Sequence, residues 1–103
     1  MPISEADWKI FKQLKEAALE RFSERILAEC QKICDQTSAS AHARYGQVYG
    51  LIQERDREMA LAFDNPRRST AWEQLALLRS LDLLTAEEIS QFSPDTQRAT
   101  AIN

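Results

Sequence analysis

Apolar residues recur in steps of three and four along the first third of the chain, at Trp8, Phe11, Leu14, Ala18, Leu19, Phe22, Ile26, Cys30, Ile33 and Cys34. That is the period of one helical face. Lys9, Lys12, Glu16, Glu20, Glu24, Arg25 and Glu29 fill the positions between them, with Lys12–Glu16 and Arg25–Glu29 spaced for i,i+4 pairs. Ser4 precedes the stripe and Asp7 follows it by three residues, in the manner of a capping box. No breaker intervenes before Thr37-Ser38. The pattern predicts a first helix over residues 4–35, about 45 Å long at 1.5 Å per residue.

Small polar residues punctuate the chain in "DQTSASAHA" (35–43), where Ser38 or Ser40 can cap a second helix. The short connection implies that this helix, over residues 40–64, folds back antiparallel on the first. Its stripe runs through Ala41, Tyr45, Val48, Tyr49, Ile52, Met59 and Phe63, broken by the charged block 53–58. Gly46 and Gly50, four apart, suggest close packing against helix 1. Asn65-Pro66 ends the helix, because the residue before a proline is pushed out of the helical region. A third helix is expected over 70–83, started by Ser69 or Thr70 with Glu73 as capping partner. A fourth is expected over 86–92, with Thr85 as cap and Glu88 as its partner. In the remaining residues, 93–103, Ser93-Pro94-Asp95 makes a final stop or starts one more weak turn, and the tail after it offers little to bury and is expected to be mobile.

These elements define an all-α fold in a single domain: a long antiparallel helical hairpin with a smaller C-terminal helical pair packed on it, a helical bundle. Composition agrees. The 103 residues are 44% hydrophobic and 28% charged, with two Gly, three Pro and a single Val. Few turn formers and few β-branched residues argue against a β fold, and the apolar content argues against disorder. A 45 Å helix overhangs a compact globule of this length, whose diameter is about 30–35 Å. Either the hairpin protrudes or another subunit covers the excess, and a homodimer is the expectation.

Charge narrows the function classes. The net charge is −3, so bulk attraction to DNA or to an anionic membrane is disfavoured and any such contact needs a local patch. No stretch is long and apolar enough for a leader or a membrane span, which gives the expectation of a cytoplasmic protein. Cys30 and Cys34 share a helix face at a spacing unsuited to a disulfide and are read as free thiols.

Catalytic chemistry has little to stand on. Cys30 or Cys34 with His42, the sole histidine, lacks an orienting third group and an oxyanion motif. The same residues fit no zinc spacing, and the Glu16, Glu20, Glu24 series lacks the histidines of a di-iron site. Neither an enzyme nor a cofactor is expected.

Candidate interaction or anion-binding residues are Arg44, Tyr45, Tyr49, Arg55, Arg57, Arg67 and Arg68. Arg55, seven after Val48 and four before Met59, falls at a core-like position, as a snorkelling or partner-facing arginine at a packed seam or as one half of a semi-buried ion pair that fixes register or dimer geometry. Tyr45 and Tyr49 read as core with their hydroxyls at the rim, or else as an aromatic-basic surface with Arg44. Arg67 and Arg68 stand at the corner between helices 2 and 3, as an exposed turn or as a phosphate grip at a helix N-terminus. Helix 4 begins with acidic "TAEE", which disfavours a DNA-recognition role for it.

The expectation for function is a non-enzymatic helical interaction module, self-associating through helices 1 and 2 and acting as an adaptor or regulatory protein. The alternative is a small nucleic-acid-associated or anion-binding regulator using the arginines of helix 2 and of the following corner.

Overall fold

A computed structural model describes residues 3–102. Helix α1 (Glu5–Cys34) runs 30 residues from Ser4, whose Oγ accepts from Asp7 N–H at 3.1 Å. Helix α2 (Ala41–Phe63) starts at Ser40, whose Oγ accepts from Ala43 N–H. A single turn of 3₁₀ helix (Arg68–Thr70) leads into α3 (Ala71–Ser80). Two short helices follow, α4 (Ala86–Ile89) and α5 (Pro94–Ala99). No strand occurs among the described residues, and the all-α bundle built on a long hairpin is as the periodicity implies.

The core lies at one end of the hairpin. Phe11, Ala18, Phe22 and Ile26 of α1 meet Ala62 and Phe63 of α2, and Ala71, Leu75 and Leu78 of α3 close over them with Leu83, Leu84 and Phe92. The Phe22 and Phe63 rings stack with centroids 6.4 Å apart. From that core the hairpin extends as a free arm: the molecule measures 51 × 25 × 24 Å, and its radius of gyration of 16.4 Å exceeds the roughly 13 Å of a compact domain this size. Of α2, only Ala62 and Phe63 at its last turn are fully buried.

Several local expectations are corrected. The segment 93–103 does have something to bury: Ser93 caps α5, and Thr96 and Thr100 are each 1% exposed. Helix α3 stops at Ser80, three residues short of 83, because Asp82 adopts a left-handed φ of 56°. Leu83 N–H then bonds Leu78 C=O and Asp82 N–H bonds Arg79 C=O, the reciprocal pair that closes a helix C-terminus, while the side chains of Leu78 and Leu83 are both buried. Helix α4 ends at Ile89, so Phe92 is buried from a turn.

The capping pattern also differs. Thr85 and Glu88 form the full capping box, but Thr70 makes no side-chain cap and Thr70 Oγ1 bonds back to Arg67 C=O instead. Gly46 and Gly50 do not press on α1, since a Cβ added at either would meet nothing within 4 Å. Lys12 lies over the Trp8 ring at 5.3 Å, and Arg25 and Glu29 take separate long-range partners.

Candidate interaction surface

The arginines hold the chain to itself. Arg21 donates from both Nη atoms to the Glu88 carboxylate, at 2.7 and 2.9 Å, and also to Leu83 C=O. Arg25 caps Leu81 C=O and Asp82 C=O. Both thus secure the polypeptide between α3 and α4 against α1. Arg79 reaches Gln97 C=O and Thr100 Oγ1 and ties α3 to α5. The fork of five donors suits guanidinium groups to gathering backbone carbonyls at helix ends.

The arginines singled out in the sequence divide the same way. Arg44 donates to Cys34 C=O at 2.6 Å and to Ala39 C=O, so it staples the hairpin turn. Arg55 makes a bidentate contact with Glu29 at 3.1 Å and a second ion pair with Glu58 at 2.6 Å. It crosses from α2 to α1 as an ion pair. Hydrogen bonds from Arg55 hold Glu29 below its ordinary pKa, and the two carboxylates raise that of Arg55 further above its own.

Arg67 and Arg68 diverge. Arg68 bonds Ile3 C=O and Glu5 at the start of α1, beside a recess of about 320 Å³ that includes Trp72 and Asp7. Arg67 borders a separate recess of about 380 Å³, beside Leu61 and Gln74. Both Arg67 and Arg57 are exposed. The two corner arginines therefore build no common anion cradle.

One interaction escapes the sequence pattern. The Asp7 carboxylate, 3% exposed, accepts from Ser93 N–H at 3.1 Å, Ser93 Oγ at 2.6 Å and Thr96 Oγ1 at 2.6 Å. Trp72 Nε1–H in turn donates to Thr96 Oγ1 at 3.0 Å. Burial pushes the Asp7 pKa up, but the hydrogen bonds from Ser93 and Thr96 outweigh it and leave the group below its ordinary value. An aspartate three residues after a serine reads locally as a capping partner. Its actual partners lie 86 and 89 residues away, beyond any local signal.

Several large apolar residues are also exposed, Leu61 at 68% among them. Tyr45 is 68% exposed, Tyr49 58%, Ile52 37% and Leu27 66%. Tyr45 and Tyr49 are thus surface residues rather than core, and His42 stacks on Tyr45 with ring centroids 6.2 Å apart. Helical geometry advances about 100° per residue. On α2 this puts Tyr45, Tyr49 and Ile52 on one side, a quarter turn from the inward Val48, Leu51 and Arg55. On α1 it puts Leu27 a quarter turn from Ile26 and Ile33. With the two helices antiparallel, these four residues share one broad side of the hairpin. Asp7, Ala18, Arg21 and Arg25 fall on the opposite side of α1, where the C-terminal helices dock. Leu27 escapes the sequence reading as a surface anchor because it lies off the main stripe. Its signal is an apolar residue at a position where the pattern calls for a polar one.

Comparison with protein-family models, with curated proteins and with solved structures gives no match.

Both cysteines are free thiols, Cys30 half-buried and Cys34 exposed. Among the described residues, no three His, Cys, Asp or Glu side chains are grouped to hold a metal ion. No described helix is long and apolar enough to cross a membrane.

Proposed function

We propose that this chain is a non-enzymatic helical interaction module that self-associates through the free arm of the α1–α2 hairpin. The observation that carries the reading is the row Leu27, Tyr45, Tyr49 and Ile52, exposed on one side of an arm with no third layer of its own. Tyrosines are apt anchors for such a contact, having a large apolar ring, few rotamers to freeze and a hydroxyl that tolerates a wet rim. As an adaptor or regulatory protein it would act in the cytoplasm, in keeping with two free thiols.

The nucleic-acid alternative draws less support. Of its five arginines, Arg44, Arg55 and Arg68 are committed to internal carbonyls and carboxylates. Only Arg57 and Arg67 remain to meet phosphate. Helix α4 has four residues, and its Glu88 is engaged by Arg21.

Light scattering coupled to size exclusion tests the proposal. Wild type should run at twice the chain mass at high micromolar concentration, while Tyr49→Glu and Leu27→Glu should weaken association at least tenfold with unchanged helicity. Association that ignores both substitutions would place the contact elsewhere.

A further inference from the structure

We propose that the recess between the last turn of α2 and α3 is a binding site for a small zwitterion with an apolar body, in the class of a free α-amino acid with a branched aliphatic side chain. The site lies at the core end of the molecule and does not depend on self-association through the arm.

Gln74 supplies the demand for a ligand. It lines the recess and is 5% exposed. Its Nε2 donates to Asp64 C=O at 2.8 Å, which fixes the sense of the amide, and its Oε1 is left buried with no hydrogen-bond partner. A buried acceptor without a donor is costly, and native structures seldom keep one. The hydroxyl on the same lining, Thr70 Oγ1, is committed to Arg67 C=O. Oε1 is closed to solvent, so a ligand's donor reaches it as the rim yields. Leu61 and Arg67 are the exposed side chains there that are free to shift.

The rest of the lining says what carries that donor. It presents two carboxylates, Asp64 and Glu73, one guanidinium, Arg67, and the aliphatic side chains of Leu61 and Leu77. None of the three charged groups forms an ion pair with a described residue. Glu73 and Leu77 are four apart on α3, so an acidic and an apolar position share one helix face. A purely apolar ligand leaves Oε1 unmatched. An anion meets two carboxylates for one guanidinium, and a bare cation meets Arg67. An α-amino acid matches all of them. Its ammonium has three N–H groups for Oε1 and the acidic side chains, and its carboxylate suits the guanidinium fork. Its aliphatic chain covers Leu61 and Leu77. Size agrees: about 380 Å³ lies near the lower end of the roughly 300–1,000 Å³ of small-ligand sites.

Titration of the full chain with L-leucine, followed by amide nitrogen–proton NMR, tests the site. Saturable shifts should concentrate in residues 61–77, with millimolar affinity. Two fragments separate the poles: 3-methylbutylamine lacks the carboxylate and 4-methylpentanoate lacks the ammonium, and each should bind about tenfold more weakly than leucine. Arg67→Gln should weaken leucine about fivefold or more and leave 3-methylbutylamine no weaker, since only the carboxylate meets that side chain. Arg67 is exposed, so this variant should fold. Gln74→Met keeps the volume, removes the orphaned acceptor and should weaken both leucine and the amine. No saturable shift with leucine at tens of millimolar, or shifts confined to other residues, would overturn the proposal. So would 4-methylpentanoate binding as well as leucine, or leucine affinity indifferent to Arg67→Gln. A folded Gln74→Met that binds leucine as wild type does would also overturn it, because the acceptor on which it rests would then play no part.

Discussion

Asp7 shows how one side chain can fix the end of a fold. Its carboxylate gathers three donors from Ser93 and Thr96 and so fastens the last helix to the first turn of α1. Replacing it with alanine leaves those donors unsatisfied in a buried setting, at about 1–3 kcal/mol. Asp7→Ala should therefore lower the melting temperature by about 5–15 °C, and amide exchange in residues 94–99 should accelerate more than elsewhere. Glu88 supplies the titrating counterpart. The bidentate hydrogen bond from Arg21 holds its pKa down to about 2, against an ordinary 4.5. A carboxylate depressed in the folded state stabilises that state above its unfolded pKa, and the contribution fades as pH falls from about 4.5 towards 2. Glu88→Gln should be less stable than wild type at pH 7, by about 1 kcal/mol given the partial exposure of Arg21. The difference should shrink towards zero near pH 2. Denaturant titrations at pH 7, 4 and 2.5 check this, and parallel curves at all three would contradict it.

At the scale of elements, the two long helices were legible and their short companions less so. Helices α1 and α2 announce themselves through sustained apolar steps and serine caps, and their ends fall within a residue or so of expectation. The C-terminal helices have four to ten residues, too few for periodicity to mark their ends. Their limits come instead from Asp82 in the left-handed region and from the Ser93 cap tied to Asp7. The arm is held by different means. Ile26, Met59 and Ala62 give way along the hairpin to the Arg55–Glu29–Glu58 cluster, and then to Arg44 on the turn carbonyls. Arg55→Ala strands two carboxylates that are about one-third exposed. It should cost about 1–2 kcal/mol, below the range for a fully buried pair. Arg55→Met with Glu29→Leu should recover much of that loss. In hydrogen exchange, α2 amides before Arg55 should be less protected than those near Ala62, since only the latter sit under the core.

For the whole molecule, the sequence foresaw an overlong helix that must either protrude or be covered, and the structure shows it protruding. Which residues form the surface was less legible. Tyr45 and Tyr49 lie on a stripe that continues to buried Phe63, so spacing alone assigns them to the core. They are exposed because α3–α5 pack at the core end of the hairpin and stop short of its tip, a consequence of tertiary arrangement that no local pattern carries. The arginines, conspicuous as a basic set, prove to be mostly internal fasteners. The uncovered arm is thus the feature that most calls for a partner, in the present proposal a second copy of the chain. Sedimentation equilibrium of the wild-type chain across about 1–200 µM tests this most directly. A self-associating arm gives a concentration-dependent rise to twice the chain mass; a single-chain mass throughout that range would mean that no second copy meets it.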